Sequence, residues 1–482
     1  MENWLRPVVG LLFYGETFQM NSIPLLLHPS QAMLMKQGQK GRMIMKTIPA
    51  NRQEKINAKA LSVWAGQQIT VSGAVHKIRG FGGLRFIIIR DGQFLIQCKI
   101  EPGSSNVPPE DYAEGNYISV TGMCRKEPRA PNGAEVEVET IKVLSRPASE
   151  MPFSVNQRLF EVGIDTNLNF RPISLRHPRQ RAIFAIQSAI SMLFREGLSK
   201  IGFTEIHTPK LVSAGAEGGA NVFRVEYFDK KLFLAQSPQF YKQMMVGVFG
   251  KVMEVGPVFR AEPHETSRHL NEYTSMDLEM GPITGFEDVM GVETYLLQYI
   301  FANLPVCCQE ELNLLAVALP QVGDIPIVRM SEALEIISKK YKPEDRSDLD
   351  PKGEQLICQY VFKETGSEFV FVTHYPTAKR PAYAMEDPEN PEVTLSFDLL
   401  FRGLEVTTGG QRIHDYATQV AKMKRFGYNP DEFESYLQIH KYGMPPHGGL
   451  GLGLERLTMQ LLKLSSIKEA CLFPRTMTRV TP

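Results

Sequence analysis

The sequence lacks the features of membrane, secreted and strongly basic proteins. Lys plus Arg and Asp plus Glu each number 53, so contact with nucleic acid must rest on local patches rather than on net charge. No apolar run approaches the ~20 residues that a membrane-spanning helix needs. The 6 cysteines include no C-x-x-C pair. These absences exclude a C-x-x-C zinc cluster and predict a cytoplasmic protein with no membrane partner.

Common nucleotide and metal motifs are also missing. Neither G-x-G-x-x-G nor G-x-x-x-x-G-K-[ST] occurs, so neither Rossmann nor P-loop nucleotide binding is indicated. His264 and Glu265 followed by His269 resemble H-E-x-x-H, but a five-residue spacing cannot place both imidazoles on one helix face. We therefore reject a zinc-protease site. With 482 residues, the chain has room for two or three domains.

The first part of the chain predicts an extension followed by a small barrel. Residues 1–45 are rich in methionine and poor in acidic residues, which indicates an extension of uncertain order, with organelle targeting as the alternative. Five short β-type runs follow, the number in a barrel such as the OB-fold. These runs are Thr70–Ile78, Leu84–Arg90, Phe94–Ile100, Tyr117–Met123 and Ala134–Val143. We predict an OB-fold domain at 46–150.

The remainder predicts a larger α+β domain. A polar linker at 151–176 leads into residues 177–200, where apolar residues recur at helical spacing. Later strand-like runs alternate polar and apolar residues, which is typical of an antiparallel sheet with one functional face. We therefore predict an α+β catalytic domain at 177–482, built on an antiparallel sheet flanked by helices.

One strand-like run carries two carboxylates on one face. Period-two geometry directs Met276 and Leu278 to the core, and Asp277 and Glu279 to the opposite side. Such a pair suits an ammonium group or a metal ion, although a solvated strand face is the alternative. Upstream, an arginine and a glutamate precede a basic pair, which suits a polyphosphate. These four residues are Arg260, Glu262, Arg268 and His269.

Glycine alternates with leucine near the C-terminus. Gly449, Gly451 and Gly453 leave one strand face bare, so that a flat ring can lie on the backbone with Arg456 stacked above it. The alternative is a glycine-weakened strand packed against another backbone.

Taken together, these segments resemble the three motifs of class II aminoacyl-tRNA synthetases. Residues 202–209 resemble motif 1, which forms the dimer interface in that family, 259–279 resemble motif 2 and 449–456 resemble motif 3. The predicted barrel is similar to the anticodon-binding OB-fold of subclass IIb. Because no large domain separates motifs 2 and 3, the chain most resembles the archaeal and eukaryotic aspartyl enzymes.

The resemblance implies roles for individual residues. Arg260 would hold the ATP α-phosphate and Glu262 the adenine edge, while Arg268, His269 and Arg456 would meet the outer phosphates. No covalent nucleophile is needed, because positioning and charge stabilisation supply the catalysis. Mg²⁺ would be held by Glu405 and by Thr408, where the family usually has serine.

The amino acid implied is aspartate. Its ammonium group would meet Glu217 and Asp277, and its side chain would meet Gln239, Lys242 and Arg412. Asparaginyl-tRNA synthetase is the nearest alternative, but that enzyme lacks the lysine. A neutral amide would leave two cations without an anionic partner.

The resemblance also implies a tRNA partner and a homodimer. Phe86 would stack an anticodon base, Gln97 would read one, and His76 and Pro131 would lie beside them. The last two residues resemble the nondiscriminating subgroup, which charges both tRNA-Asp and tRNA-Asn and implies an amidotransferase partner. The alternatives are an enzyme strict for tRNA-Asp and a catalytically dead, tRNA-binding paralogue.

Overall fold

The computed structural model describes residues 34–37, 43–46, 58–81, 83–92, 94–102, 108–213, 215, 221–343, 345 and 347–482. The prediction of an extension at 1–45 lies largely outside them. Two short strands there, β1 (Leu34–Gln37) and β2 (Met43–Lys46), pair antiparallel. In the described part of the chain, no helix is both long and apolar enough to cross a bilayer.

The next five strands close into a barrel. They are β3 (Gln68–Phe81), β4 (Leu84–Asp91), β5 (Phe94–Ile100), β6 (Tyr117–Lys126) and β7 (Ala134–Ser145), in the order β3-β4-β5-β7-β6. Alternate residues such as Ile87, Ile89, Ile96 and Cys98 are almost completely buried inside it. Closure pairs every strand on both sides, so the barrel has no exposed edge. The predicted five-stranded OB-fold is confirmed.

A linker with two short helices, α1 (Ile164–Asn169) and α2 (Arg171–Ser174), leads to the long helix α3 (Pro178–Lys200). Nδ1 of His177, the N-cap of α3, accepts a hydrogen bond from the backbone N–H of Arg179 at 3.2 Å. Proline at the first helical position suits this start, because its missing N–H would have no partner there.

The rest of the chain supplies two sheets and seven helices among the described residues. In chain order these elements are β8 (Thr204–Glu205), β9 (Leu211–Val212), β10 (Arg224–Tyr227), β11 (Lys230–Leu234), α4 (Gln239–Phe249), β12 (Lys251–Phe259), β13 (Glu272–Met280), α5 (Glu287–Leu315), β14 (Ile327–Arg329), α6 (Met330–Ser338), α7 (Pro351–Thr365), β15 (Phe369–Thr373), β16 (Ser396–Phe401), β17 (Leu404–Arg412), α8 (Tyr416–Arg425), α9 (Glu434–Tyr442), β18 (His447–Gly453) and α10 (Leu454–Leu462).

The larger sheet has eight strands in the order β14-β15-β16-β17-β18-β13-β12-β8. Its central pairs are antiparallel, and only β14–β15 and β12–β8 are parallel. The smaller sheet has the order β10-β11-β9. Apolar residues of α3, α5 and α10 pack with one face of the large sheet, where Leu278, Leu450 and Leu452 are fully buried. The predicted α+β architecture is confirmed, and the opposite face is left for polar side chains.

A carboxyl group also lies within this core. Glu293 of α5 is 0% exposed, and neither carboxylate oxygen has a hydrogen-bond partner among the described residues. Burial raises the pKa of Glu293 to about 8, and nearby Thr407 offsets only part of that shift. A carboxyl group in such surroundings is neutral at pH 7, because ionising it without a partner is costly.

This burial predicts a pH-dependent stability. Above pH 4.5 the unfolded chain releases the Glu293 proton while the folded chain keeps it, so the free energy of unfolding falls as pH rises towards 8. Glu293→Gln should remove this dependence, and its stability relative to wild type should rise by ~3 kcal/mol between pH 5.5 and 8. Urea unfolding at pH 5.5 and pH 8 measures the free energy of unfolding of the wild type and of the variant. Glu310→Gln, exposed on the same helix, is the matched control; equal pH dependence in wild type and E293Q would contradict the account.

Candidate active site

A cleft of about 710 Å³ opens over the polar face of the large sheet. Strands β13, β17 and β18 contribute to it, together with α4, the loop after β12 and the segment before β16. All but one of the residues predicted to bind ATP, aspartate or metal line this cleft. They are Gln239, Lys242, Arg260, Glu262, Arg268, His269, Asp277, Glu405, Thr408, Arg412 and Arg456. The remaining one, Glu217, lies outside the described residues.

Two carboxylates of β13, those of Asp277 and Glu279, are buried beside the cleft. Alternation along the strand places Met276 and Leu278 in the apolar core, and Asp277 and Glu279 are 2% and 0% exposed. The alternative of a solvated strand face is therefore wrong. Buried carboxylates need charged or hydrogen-bonding partners, and α4 and β17 supply them.

Lys242 is the first of these partners. It lies one turn into α4 and is 2% exposed. Its Nζ donates to Asp277 Oδ1 at 2.9 Å and to the carbonyl of Leu450 at 2.8 Å, and it lies 3.4 Å from Glu279 Oε2. The ammonium group is thus held at a fixed point above β13 and β18.

Arg412 at the end of β17 is the second partner. Its Nε donates to Glu279 Oε1 at 2.9 Å, and its Nη2 donates to the carbonyl of Gly449 at 2.9 Å. Burial acts to raise the pKa of Glu279, but Arg412 and Lys242 hold it below its usual value. Two cations and two anions therefore share one buried site, and Glu279 contacts both cations.

Two polar atoms next to this site have no partner. Asp277 Oδ2 and Gln239 Nε2 are buried and make no hydrogen bond to any described residue. Orphaned buried atoms of this kind are rare and costly unless a ligand or water satisfies them. An acceptor and a donor beside two cations suit a small zwitterion with an ammonium group and a carboxylate.

The glycines of β18 are not equivalent. Gly451 and Gly453 line the cleft as predicted. The prediction that Gly449 also leaves the face bare is wrong, because a Cβ there would lie 2.1 Å from Glu279 Oε2 and 2.3 Å from the carbonyl of Leu278. At Gly449 the space is filled by the glutamate, so the bare surface starts at Gly451.

The loop after β12 carries the predicted phosphate-binding residues. Asn271 Nδ2 donates to the carbonyls of Arg260 and Glu262 at 2.7 and 3.1 Å, which fixes the start of the loop. Burial, and then the charge of Arg456, lower the pKa of His269. The imidazole is therefore neutral at pH 7 and offers a hydrogen bond rather than a positive charge.

Arg456 lies at the start of α10 and contacts β17. Its Nη1 donates to the carbonyl of Glu405 at 3.0 Å and lies 3.3 Å from Glu405 Oε1. The hydroxyl of Thr408 donates to the same carboxylate oxygen at 3.0 Å. The structure thus brings together the two predicted metal residues and one predicted phosphate residue.

A third oxygen donor was missed in the sequence. Asp398 of β16 pairs with Thr408 across the sheet, is 6% exposed, and its Oδ1 has no hydrogen-bond partner among the described residues. Burial raises the pKa of Asp398, although Arg380 at 2.8 Å acts to lower it. An acidic residue within an otherwise apolar strand was the available signal.

These oxygens fit magnesium better than a softer ion. No group of three or more His, Cys, Asp or Glu side chains suited to a metal occurs within the described ranges. Mg²⁺ usually takes one or two carboxylates together with substrate phosphates and water. The Glu405 carboxylate, the Thr408 hydroxyl and the unpartnered Oδ1 of Asp398 match that requirement.

Three of the four predicted anticodon residues lie on or beside the outer side of β4 and β5. Phe86 and Gln97 are partly exposed and lie next to buried residues of these strands, and Gln97 Nε2 donates to Glu135 at 2.8 Å. Pro131 begins a short turn, and Asn132 within that turn donates to the carbonyl of Leu95 on β5 at 2.9 Å. The turn is thereby held against the same pair of strands.

His76 occupies a different place. It lies at a β-bulge in β3 and lines a cavity of about 270 Å³ with Arg90, Asn156 and Arg176, at the junction with the linker. Burial, and then Arg90, lower its pKa to about 4. None of the other three predicted anticodon residues lines that cavity.

Comparison with known proteins agrees with this architecture. Residues 163–477 match the class II tRNA synthetases (D, K and N), and residues 69–144 match the OB-fold nucleic acid binding domain. The chain therefore belongs to the class II tRNA synthetases. As a member of this family it uses ATP as a substrate, and its barrel is the tRNA-binding domain.

Within that family, the chain is similar to aspartate–tRNA ligases. It is 45% identical to the aspartate–tRNA(Asp/Asn) ligase of Deinococcus radiodurans over 424 residues, 86% of this chain and 96% of that protein. It is 39% identical to the aspartate–tRNA(Asp) ligase of Pyrococcus abyssi over 426 residues, 86% and 97% of the two chains. The asparaginyl-tRNA synthetase of Pyrococcus horikoshii, solved with asparaginyl-adenylate, has a TM-score of 0.80 at 31% identity, covering 87% and 97%.

The unequal glycines give a matched pair of variants. Gly451→Ala places a methyl group 3.2 Å from Asp277 Oδ1 at the cleft, so the fold should survive while the KM for ATP or for the amino acid rises at least ~10-fold. Gly449→Ala meets backbone at 2.3 Å, so its melting temperature should fall sharply. Thermal unfolding measures the melting temperature of each variant, and pyrophosphate exchange measures its KM values. Equal effects of the two variants on stability would contradict the assignment.

Proposed function

We propose that this protein is an aspartate–tRNA ligase, which activates L-aspartate with ATP and transfers it to tRNA. The observation that carries the proposal is the convergence of two cations at one buried point. Lys242 Nζ lies 3.4 Å and Arg412 Nε 2.9 Å from oxygens of the Glu279 carboxylate. Groups spaced to share one carboxylate are also spaced to share a second, from the substrate side chain.

The same site discriminates against asparagine. The unpartnered Nε2 of Gln239 offers a donor beside the cations, which suits a carboxylate oxygen. An amide in that place would turn N–H donors towards two positive groups and leave them without an anion. By the cost of a buried unpaired charge, this disfavours asparagine by ~2–5 kcal/mol.

The ammonium end is assigned to the other carboxylate. Asp277 Oδ1 is taken by Lys242, whereas its buried Oδ2 is available to accept from the substrate ammonium. Glu217 is proposed as the second acceptor. Held at both ends, the substrate can direct only its α-carboxylate towards ATP.

The reaction is attack of that α-carboxylate on the α-phosphorus, with pyrophosphate as leaving group. Arg260 stabilises the charge on the α-phosphate, Glu262 holds the adenine, and Arg268, His269 and Arg456 hold the outer phosphates. Glu405, Thr408 and Asp398 would hold Mg²⁺, which when bound neutralises charge on the polyphosphate. The catalytic work of the chain is therefore orientation and charge stabilisation.

For the tRNA, we propose both tRNA-Asp and tRNA-Asn as substrates. Relatives with 45%, 42% and 41% identity are named aspartate–tRNA(Asp/Asn) ligases, whereas the protein of Pyrococcus abyssi, at 39%, is named aspartate–tRNA(Asp) ligase. Phe86 and Gln97 supply a stacking surface and a reading group on the barrel, with Pro131 beside them. Charging tRNA-Asn implies an amidotransferase that converts the attached aspartate to asparagine.

We also propose a cytoplasmic homodimer. Strand β8, within the motif 1 segment, lies at the edge of the large sheet, and neighbouring α3 exposes 61% of Met192. All six cysteines are free thiols, which suits a reducing compartment. Sedimentation at twice the 54.3 kDa chain mass is expected, and a monomer would contradict the dimer.

Substitution of the lysine tests amino acid recognition. Lys242→Met removes the cation at similar length, so kcat/KM for aspartate in ATP–pyrophosphate exchange should fall at least ~100-fold, while asparagine remains a poor substrate. Lys363→Met, at a side chain that is 83% exposed on α7, should behave as wild type. If the wild-type enzyme exchanges pyrophosphate with asparagine but not with aspartate, the asparaginyl alternative is supported. If it exchanges pyrophosphate with neither amino acid, the catalytically dead paralogue is supported.

Charging of purified transcripts tests tRNA choice. We expect aspartate to be esterified to both tRNA-Asp and tRNA-Asn, and not to a tRNA-Lys control. Phe86→Ala should lower kcat/KM for both tRNAs by ~10-fold or more through lost stacking, without changing pyrophosphate exchange. Absence of charged tRNA-Asn would leave the strict tRNA-Asp enzyme as the correct reading.

A further inference from the structure

One buried carboxylate has no part in the chemistry above. Glu354 lies in the first turn of α7 and is 7% exposed. Its Oε2 accepts hydrogen bonds from Arg268 Nη2 and from the backbone N–H of Glu405, the latter at 3.1 Å. A single oxygen atom thus joins α7 to the loop after β12 and to the start of β17.

The helix that carries this carboxylate is firmly anchored. The side chain of Asp350 caps α7 by accepting from the backbone N–H of Gly353 at 2.8 Å, and Pro351 occupies the first helical position. Ile357, one turn further on, is fully buried against the apolar residues of β15 and α6. The carboxylate of Glu354 is therefore held in a fixed position relative to the two groups that donate to it.

The side chain of Arg268 depends on this contact for its orientation, because Arg268 lies on a loop without regular structure. A long side chain on a loop has many rotamers, and fixing one before the substrate arrives lowers the cost of binding. Nη2 donates to Glu354, whereas the buried Nε has no hydrogen-bond partner among the described residues. The guanidinium is thus oriented at the wall of the cleft, with one donor that no described residue uses.

The contact with Glu405 extends the effect to β17. The N–H of Glu405 donates to Glu354, and its carbonyl accepts from Arg456 at 3.0 Å. The start of the strand is thus held from both sides. Displacement of Glu354 would shift Arg268 and Glu405 together.

We propose that Glu354 is a positioning residue for ATP, which acts through Arg268 and Glu405 without touching the nucleotide. The inference rests on the proposed function, because it takes ATP as the occupant of this half of the cleft. Among the described residues, the hydrogen bonds of Glu354 go to Arg268 and Glu405, and those of Lys242 and Asp277 in the aspartate half do not involve it. The effect should therefore be confined to ATP.

The test is steady-state pyrophosphate exchange with Glu354→Ala, Glu354→Gln, Arg268→Ala and the double variant E354A/R268A. E354A should raise the KM for ATP ~10-fold or more and leave the KM for aspartate within about twofold. E354Q keeps an acceptor oxygen and should raise the KM for ATP only ~2–5-fold. In the R268A background, the E354A substitution should raise the KM for ATP by a much smaller factor than it does in the wild-type background.

Two controls accompany the kinetics. Glu364→Ala, at a side chain that is 51% exposed on the same helix, should match wild type. Thermal unfolding shows whether E354A is folded; if it is not, E354Q carries the test, and calorimetric titration with ATP should show the same weakening as its KM. These measurements separate a positioning role from a general loss of structure.

The inference is overturned if the folded variant binds ATP as wild type does, if the KM for aspartate rises equally, or if the two substitutions are additive. Failure of the proposed function looks different, because wild type itself would then show no aspartate-dependent exchange. If the wild-type enzyme shows aspartate-dependent pyrophosphate exchange and E354A has the same KM for ATP, only the proposed role of Glu354 is wrong.

Discussion

The buried cluster of Lys242, Asp277, Glu279 and Arg412 is the interaction on which the rest of the site depends. Each member compensates the desolvation of another, and removal of one partner from such a pair costs about 3–5 kcal/mol. The cluster fixes α4, β13 and β17 relative to one another. It also leaves the Oδ2 acceptor of Asp277 without a partner, beside the unpartnered Nε2 of Gln239, so stability and substrate recognition share Lys242, Asp277 and Arg412.

The geometry of the sheet makes this cluster possible. In the β13–β18 pair, Asp277 lies opposite Gly451 and Glu279 opposite Gly449, so glycine leaves room for each buried carboxylate. The leucines between these glycines bury their side chains on the other face under α3, α5 and α10. One strand pair therefore closes the core on one side and shapes the floor of the cleft on the other.

Much of this could be predicted from local patterns. Period-two alternation placed Asp277 and Glu279 on one face, and helical spacing predicted α3 to within one residue. Glu354 carried no such signal, because its partners lie 86 and 51 residues away and only tertiary packing brings them together. Gly449 was misjudged for a related reason, since alternation gives the direction of a face but not what fills it. His76 was assigned from the family resemblance alone, and no local pattern indicated that it lies at a bulge facing the linker cavity.

The most direct measurement is a crystal structure with aspartate bound. The account predicts that the side-chain carboxylate lies within hydrogen-bond distance of both Lys242 and Arg412, that Gln239 Nε2 donates to it, and that the ammonium group contacts Asp277 Oδ2. An aspartate side chain placed away from both cations, with the lysine and arginine still bound only to protein groups, would contradict the central claim.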